Sequence, residues 1–446
     1  MIKNKNARIA VVGAGAGGIS TAYFLQKKGY KNVTVLEKAG AIGGKCNSLT
    51  YQTQSFDLGA NYITSSYKNV KKIAREVGAK MFTEKRLRAY NPQTHQFKSL
   101  MKALTEDSSF FSLAWQSLRY FFKRWSLNRV ISAQKPGYAG LSQHPELTCS
   151  FEAWLHKNKL AALKTLFSIP ISLMGYGSLN QISAAHALTY MSLGTFIDLV
   201  MVAFSPQILG YPKRFTEGYA RFLERISWQL QVMTNVEIHQ VKRSADKVVL
   251  EITVHEQILT KITSTSRTLE FDYLIVASPL TLEALQTWLT DIRPAEAELF
   301  DKVRLNPYIL TTYIAENMQE FSAVTYMLPE PKLGQPYVLT RQFFDNDLIS
   351  FYTRTRESEK VSKEEILKMQ EDFVTKAGGK IIGEYYTYTD WPYFPHFSIE
   401  DMQAGYYDRL EELQGQNRTF YVGGLLNFEL VETIFNYSKY LVKKHF

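Results

Sequence analysis

A run of glycines near the N-terminus constrains the fold more than any other feature of this 446-residue sequence. Residues 8–13 form an apolar run of strand length, residues 17–29 have the pattern of a helix, and residues 32–38 form a second apolar run. A strand, a turn, a helix and a strand within about 30 residues predict a βαβ unit and therefore a parallel sheet.

Three glycines of this turn, Gly13, Gly15 and Gly18, have the spacing GxGxxG. The first permits a tight turn, the second lets the backbone approach a diphosphate, and the third allows close packing of helix and strand. Glu37 ends the second strand about 20 residues later, where a carboxylate can accept hydrogen bonds from a ribose 2′-hydroxyl. The pattern predicts dinucleotide contacts at Gly13, Ala14, Gly15, Ala16, Gly17, Gly18 and Glu37.

The motifs of several other sites are missing from the sequence. A P-loop would need a glycine at Ala39 and a serine or threonine at Cys46. The eight histidines form no pair at metal-ligand spacing, so we predict no metal site. The motif Gly-x-Ser-x-Gly is also absent, which argues against an α/β-hydrolase.

Charge and cysteine content bear on location and partners. The 52 Lys and Arg against 42 Asp and Glu give a net charge of +10, which favours anionic partners, but no nucleic-acid motif accompanies it. Cys46 and Cys149 form no CxxC, which fits a reducing compartment. Residues 9–16 resemble the apolar centre of a signal peptide, but they are rich in glycine and lead into an amphipathic helix. We therefore expect a cytoplasmic protein.

The hydrophobic pattern changes along the chain and predicts two domains. Residues 85–212 are helical and aromatic-rich, whereas 236–254 and 303–355 alternate as strands do. Residues 271–278 and 419–446 return to the strand and helix pattern of the N-terminus. We predict an α/β dinucleotide-binding domain assembled from 1–84, 213–285 and 400–446, with an α+β substrate domain from 85–212 and 286–399.

The residues after Glu37 resemble the second glycine motif of FAD-dependent amine-oxidase-type flavoproteins. Residues 37–45 have the family's paired glycines, with Lys45 in place of the usual arginine, and residues 56–60 resemble the loop beneath the flavin. The resemblance implies a Rossmann-like FAD-binding domain of the GR2 or amine-oxidase type with an inserted substrate domain. Covalent attachment is not expected, since residues 419–446 contain no cysteine. Further contacts with FAD are implied at Lys38, Gly43, Gly44, Lys45, Gly59, Ala60, Asn61, Val241, Gly423, Gly424, Glu432 and Thr433. The family often has an acid at the position of Gly424.

Within this superfamily the sequence is similar, almost end to end, to bacterial polyenoic fatty acid isomerases. Residues 42–46, 174–177 and 391–398 carry the most specific similarity. The similarity implies that flavin N5 takes a hydride from a methylene between two cis double bonds and that the hydride returns two carbons away. Two alternatives stay open: an amine or amino-acid oxidase or dehydrogenase, and a flavin-bearing binding protein without catalysis.

The same similarity implies residues that hold a fatty acid. Residues 85–88 fall where the isomerases have a basic cluster, and Arg88 matches the arginine that anchors the carboxylate. Tyr176, Tyr393 and Phe394, with Trp391, are expected to wall an apolar slot beside the flavin. The predicted catalytic set is therefore Arg88, Tyr176, Tyr393 and Phe394. The alternative is that the charges are solvated and the aromatic rings pack in the core. Residues 187–215 form part of the expected wall of the slot. This segment is longer than the isomerases need.

One predicted helix, residues 110–125, combines aromatic and basic side chains. Its apolar residues recur every three or four positions, and Arg119, Lys123 and Arg124 lie between them. Such a helix either contacts a membrane surface, because tryptophan and basic residues favour anionic interfaces, or packs its apolar stripe on the protein core. The stripe consists of Phe111, Trp115, Leu118, Phe122 and Trp125.

Overall fold

The structure is a computed structural model that describes residues 2–84, 87–131, 136–204, 210–258, 261–321, 324–341, 346–356, 359 and 361–446. The strands are β1 Arg8–Val12, β2 Asn32–Leu36, β3 Ser48–Tyr51, β4 Gln54–Asp57, β5 Met81–Thr83, β6 Leu87–Asn91, β7 Gln96–Lys98, β8 Lys213–Phe215, β9 Gln231–Met233, β10 Val236–Arg243, β11 Val248–Ile258, β12 Lys261–Phe271, β13 Tyr273–Val276, β14 Arg304–Glu316, β15 Val324–Met327, β16 Pro336–Arg341, β17 Leu348–Arg354, β18 Lys380–Ile381, β19 Thr387–His396 and β20 Thr419–Tyr421. The helices are α1 Ala16–Lys27, α2 Lys68–Glu76, α3 Leu100–Thr105, α4 Phe110–Ser126, α5 Phe151–Lys157, α6 Lys164–Ser168, α7 Ala184–Tyr190, α8 Leu193–Phe204, α9 Gly218–Ser227, α10 Leu282–Gln286, α11 Pro294–Asp301, α12 Lys363–Lys376, α13 Ile399–Gln403, α14 Tyr406–Glu412, α15 Gly424–Asn427 and α16 Val431–His445.

A parallel five-stranded sheet forms the centre of the nucleotide-binding part, with the strand order β20-β13-β1-β2-β9. Every neighbouring pair in it is parallel. Four of the five residues of β1 and of β2 are buried, as expected for strands covered on both faces. The five strands come from the N-terminal, middle and C-terminal segments that the sequence predicts for this domain.

The C-terminal segment returns to the start of the chain. β20 pairs with β13, and the Val422 N–H continues the ladder to Val276 O at 3.0 Å. α16 packs along α1, where the Ser20 and Ser438 hydroxyl oxygens lie 2.9 Å apart. The opening turn and the last helix therefore share one end of the parallel sheet.

A second, eight-stranded sheet runs in the order β18-β14-β17-β16-β15-β6-β7, and β19 pairs with β14. Its inner face carries Tyr308, Tyr326 and Tyr352, which join the main core. The outer face carries Tyr313 and Phe351 in a separate core beneath α12. The inner face is therefore the side on which a site shared with the first sheet can form.

The segment that follows residue 286, which the sequence assigns to the substrate domain, also contacts the nucleotide-binding side. Asp291 and Glu296 both form ion pairs with Arg243 of β10 at 2.9 Å, and the Tyr421 hydroxyl donates to Glu296 at 2.9 Å. These contacts hold the segment that includes α11 against the nucleotide-binding side, because the buried guanidinium needs its carboxylates there. The predicted domain boundaries stay a proposal.

The apolar stripe of α4 faces outward. Phe111 is 83% exposed and Trp115 is 65% exposed, whereas residues on the opposite side of the helix, such as Tyr120, are buried. The alternative that this stripe packs on the core is therefore wrong. Among the described helices, none alone is long and apolar enough to cross a membrane; α7 and α8, bent by 70°, satisfy those criteria only as a pair.

Candidate active site

The opening glycine turn (Gly13–Gly18) is built from close backbone contacts. Gly13 has a φ of +104°, which favours glycine, and a Cβ on Gly18 would lie 1.9 Å from Gly13 O. The N-terminus of α1 follows at once, with Gly15 as its N-cap and no side-chain cap. The first N–H groups of this helix are thus left for an anion.

Glu37 reaches this turn from the end of β2. One carboxylate oxygen accepts the Ala14 N–H at 2.7 Å and the other accepts the Ala39 N–H at 2.9 Å. The side chain is half-buried, so it remains accessible to a ligand laid across the turn. Lys38, the next residue, is exposed.

The second glycine motif (residues 40–45) lies directly against the first. Gly43 forms an isolated parallel β-bridge with Gly15, and a Cβ on Gly44 would come within 3.2 Å of Gly15 Cα. A Cβ on Gly59 would lie 1.9 Å from Lys45 O, which also accepts the Ala60 N–H at 3.0 Å. Residues predicted from three separate motifs therefore form one continuous backbone surface.

Two buried polar atoms beside this surface point to a missing partner. Asn61 Oδ1 and Ser278 Oγ have no hydrogen-bond partner among the described residues, and Ser278 adjoins Gly13. Buried polar atoms are normally hydrogen-bonded, so such atoms indicate a bound group. A cradle of bare glycine backbone, an uncapped helix N-terminus and these two atoms fit an extended nucleotide such as FAD.

The C-terminal motif meets the same surface, although its side chains are used internally. A Cβ on Gly17 would lie 3.5 Å from the Val422 side chain. The Glu432 carboxylate accepts the N–H groups of Asn69 and Val70 at 3.0 and 2.9 Å, at the start of α2, and burial raises its pKa. The Thr433 hydroxyl donates to Phe428 O at 2.7 Å. Contacts of Glu432 and Thr433 with a cofactor therefore have to come from their main chain.

The main chain of Val241 has other partners than the predicted contact with FAD. Its N–H donates to Trp288 O at 2.7 Å, and its carbonyl accepts from Thr290, so its main-chain groups are already bonded. Val236 lies beside the acid instead, because its N–H donates to Glu37 O at 2.9 Å. An irregularity in β10 between Ile238 and Gln240 separates these two valines in register.

Six aromatic residues, hereafter the aromatic cluster, meet beside the second glycine motif and the C-terminal turn. Tyr176 lies centrally, with ring-centroid distances of 5.1 Å to Tyr393, 5.3 Å to Phe394 and 4.6 Å to Phe428. Trp391 also approaches the loop after β4, since its Nε1 donates to Leu58 O at 2.6 Å. The structure thus brings together the predicted wall residues Tyr176, Tyr393 and Phe394. The cluster consists of Tyr176, Tyr190, Tyr308, Tyr393, Phe394 and Phe428.

Two residues of the aromatic cluster have a left-handed backbone. Phe394 has a φ of 52° and Phe428 a φ of 74°, and their rings lie 5.0 Å apart. Such values are genuine outliers for bulky side chains and concentrate at functional sites. The Phe394 conformation is held by its N–H, which donates to the Glu429 carboxylate.

Glu429 is a site residue that the sequence analysis missed. Its carboxylate pairs with Lys45 Nζ, which also donates to Pro392 O at 2.6 Å. A Cβ on Gly424 would lie 2.9 Å from Glu429 Cβ, so the missing side chain at position 424 leaves the space that Glu429 fills. The sequence does contain a signal for this residue. The family often has an acid at position 424, and this chain has one five positions later, within the same C-terminal motif.

Comparison with known proteins assigns the family. The family described as flavin containing amine oxidoreductase matches residues 16–324, well over half of the chain. The chain belongs to this family. It is therefore a flavin-dependent enzyme, and the predicted resemblance to amine-oxidase-type flavoproteins is confirmed.

Relatives of this flavin amine oxidoreductase include two with different activities. The Polyenoic fatty acid isomerase of Ptilota filicina is 40% identical over 70 residues, which is 16% of this chain and 14% of that protein. The Probable flavin-containing monoamine oxidase A of Dictyostelium discoideum is 21% identical over 317 residues, 69% of this chain and 64% of the relative. The matches thus span less than two thirds of either relative.

Solved structures share the fold of the flavin amine oxidoreductase. The CLA-producing fatty acid isomerase from P. acnes superposes with a TM-score of 0.85 at 24% identity, over 100% of both chains. Putrescine oxidase bound to putrescine superposes with a TM-score of 0.68 at 16% identity, over 98% of both. The predicted fold class, a Rossmann-like FAD-binding domain with an inserted substrate domain, is confirmed.

Arg88 of this flavin amine oxidoreductase lies away from the aromatic cluster. It shares the outer face of β6 with Tyr90, since side chains on a strand alternate between faces, and its guanidinium lies 5.8 Å from the Phe97 ring. The side chain is exposed, and Nη1 donates to Glu320 O at 3.4 Å. The predicted anchoring role is not supported by this position. Lys85 and Arg86 of the same basic cluster lie outside the described residues.

The buried histidines of the flavin amine oxidoreductase are neutral structural groups. His396 Nδ1 lies 2.7 Å from Phe394 O, and burial lowers the pKa of His396 to about 4. His186 lies between the hydroxyls of Tyr407 at 2.8 Å and Ser183 at 2.9 Å, and burial lowers its pKa as well. His396 therefore supports the aromatic cluster through the Phe394 carbonyl, whereas the ring of His186 packs 5.4 Å from the Phe394 ring.

Proposed function

We propose that this enzyme binds FAD non-covalently and acts on a long-chain polyunsaturated fatty acid or a related lipid. Bound FAD would supply a position, N5, that can accept a hydride and return it. The residues that would hold it are the two glycine motifs, Glu37, Asn61 and the main chain at the start of α16. The support is the continuous backbone surface and the two buried polar atoms beside it.

The observation that carries the lipid proposal is the neutral lining of the aromatic cluster. Its acid, Glu429, is already paired with Lys45 and with the Phe394 N–H. An ammonium substrate would have to compete for that carboxylate, whereas an apolar chain needs ring surfaces and no countercharge. The rings of Tyr176 and Tyr393 would hold the chain flat and keep water from the reacting carbons.

A sealed anaerobic incubation tests this function against amine oxidation. Isomerisation returns the hydride and needs no external oxidant, so linoleate should give conjugated-diene absorbance without oxygen. Amine oxidation would instead reduce the flavin, which is seen as bleaching, and would stop after one turnover because no oxidant is present. Bleaching by putrescine or a monoamine, with no change in linoleate, would contradict the lipid proposal. Flavin that neither class reduces or converts would favour the non-catalytic alternative.

Replacing Glu37 with Ala is expected to weaken FAD retention roughly ten- to a hundredfold, because hydrogen bonds to a charged acceptor are worth about 1.5–3 kcal/mol. The ratio of flavin to protein absorbance after gel filtration, followed by titration with FAD, measures the effect. Glu251→Ala, at an exposed position of β11, is the matched control. Full flavin content in Glu37→Ala would contradict our assignment of the ribose contact.

The position of Arg88 gives a second expectation. Arg88→Ala should change the KM for free linoleate and for its methyl ester to the same small extent, because the side chain lies on the outer face of β6. Steady-state kinetics with both substrates measure this. A rise in KM confined to the free acid would restore the anchoring role predicted from the sequence.

We also propose a cytoplasmic enzyme that works at a membrane surface. Cys46 and Cys149 are both free, as suits a reducing compartment. Long-chain fatty acids partition into bilayers, and residues 110–125 present exposed aromatic side chains where such a substrate would be collected.

A further inference from the structure

The outward face of α4 continues onto a second helix. Trp125 is 63% exposed and Phe122 is 57% exposed, and both lie on the stripe with Trp115. At the start of α4, the Phe110 ring lies 5.9 Å from the ring of Phe204, the last residue of α8 and itself 53% exposed. Together these residues form the aromatic face: Phe110, Phe111, Trp115, Phe122, Trp125 and Phe204.

The opposite side of α4 is fixed to the protein. The Tyr120 hydroxyl donates to Met191 O at 2.6 Å, and Arg124 Nε donates to Leu188 O at 3.0 Å. Gln116 Oε1 accepts the Ala162 N–H at 2.9 Å. Because α4 is held on one side and apolar on the other, it resembles a buried helix that lacks its second neighbour.

The charge around the aromatic face is positive. The sequence contains no acidic residue between Asp107 and Glu146. Arg119 and Lys123 line a shallow depression of about 460 Å³ together with Trp115 and Phe122. Cations beside half-exposed tryptophan are the composition of helices that bind anionic lipid headgroups. A second copy of this face would bring like charges together, which disfavours self-association.

We propose that the aromatic face docks on an anionic lipid bilayer, with Arg119 and Lys123 on the headgroups. α8 then connects the bilayer to the site: Phe204 lies at the surface, and Tyr190, just before α8, belongs to the aromatic cluster. Twelve helical residues span about 18 Å, which gives the scale of the path from bilayer to site. This entry path rests on the proposed function, whereas the docking itself does not.

Vesicle binding of the full chain tests the docking without any turnover assay. We expect the protein to co-sediment with phosphatidylglycerol vesicles more strongly than with phosphatidylcholine vesicles. In the double variant Trp115→Ser and Trp125→Ser, the partition coefficient should fall by about tenfold or more per residue, as expected for losing buried aromatic area. Arg119→Gln with Lys123→Gln should remove the preference for phosphatidylglycerol.

Trp228→Ser is the matched control, because Trp228, the residue that caps the C-terminus of α9, is 63% exposed. It should bind vesicles as the wild type does. Equal binding of the wild type to both kinds of vesicle, or undiminished binding of the double tryptophan variant, would overturn the proposal. A wild-type dimer that becomes monomeric in that variant, measured by light scattering, would overturn it in favour of self-association. Since flavin and substrate are not read out, failure here leaves the proposed FAD binding and lipid chemistry standing and contradicts only the proposed location at a membrane surface.

Discussion

Gly18→Ala is expected to abolish flavin retention and to lower the free energy of unfolding by about 3 kcal/mol or more, at the upper end of what overpacking costs. The added Cβ would lie 1.9 Å from Gly13 O. That oxygen belongs to the main chain, so no side-chain rotation can relieve the overlap. Any relief must move the turn itself, and the turn is where we place the diphosphate.

The comparison that isolates this effect is Gly17→Ala. A Cβ there would meet the Val422 side chain at 3.5 Å, an ordinary contact, in a residue that is already helical. Urea unfolding curves of both variants, measured with their flavin content, test the prediction. Gly17→Ala should unfold at or slightly above the wild-type midpoint, since alanine suits a helix better than glycine. Equal stability and equal flavin content in Gly18→Ala would contradict our description of the turn.

Arg243→Met is expected to lower the free energy of unfolding by about 3–5 kcal/mol, because breaking a buried ion pair leaves charge without compensation. The Arg243 side chain is fully buried, and it donates to Asp291 and Glu296 at 2.9 Å. The variant would leave Glu296, itself 1% exposed, with Arg293 as its remaining basic partner at 3.2 Å. Thermal and urea unfolding measure the loss.

The same pair gives a pH dependence. Burial alone would raise the pKa of Glu296, but hydrogen bonds from Arg243 and Arg293 outweigh it and lower the pKa from 4.5 to about 2. A carboxylate with a lowered folded-state pKa stabilises the fold fully above the unfolded value and loses that contribution as protons bind. Stability should therefore fall between about pH 4.5 and pH 2, and Glu296→Gln should flatten that part of the profile.

An exposed pair provides the control for both measurements. Lys247, just before β11, and Glu270 of β12 are each nearly half exposed, and an ion pair at such a surface is worth about 0–1 kcal/mol. Lys247→Met should therefore leave the unfolding midpoint almost unchanged. A loss as large as that of Arg243→Met would show that charge removal, rather than burial, dominates.

What the sequence predicts well is set by local geometry. The spacing of Gly13, Gly15 and Gly18 defines the turn within six residues, and Glu37 follows at the end of the next strand. The resemblance placed Tyr176, Tyr393 and Phe394 at a common site, and the structure brings them together. The resemblance did not identify Glu429 although the C-terminal motif contains this acid, because its place depends on the empty space at Gly424 and on a left-handed Phe428.

Strand parity and register bear on the positions of two predicted site residues, Arg88 and Val241. A shift of one residue moves a side chain to the opposite face of a sheet. The sheet that contains Arg88 carries a hydrophobic core on each face, so the hydrophobic pattern does not reveal the side of Arg88, which is itself exposed. Val241 follows an irregularity in β10 that changes its register. The sequence also does not predict which side of α4 is exposed. This helix has apolar residues on two sides, and the pattern alone does not indicate which of them the core covers.

The late arrival of β20 matters for the nascent chain. It completes the parallel sheet beside β13, yet ribosomes reach Thr419 more than 400 residues after they translate Arg8 of β1. From the synthesis of Val276 until Thr419 is reached, more than 140 residues later, β13 has an open hydrogen-bonding edge, a feature that invites intermolecular pairing. Holding chaperones should therefore act on this enzyme during synthesis, and release should follow once the last strand and α16 have closed over the glycine turn.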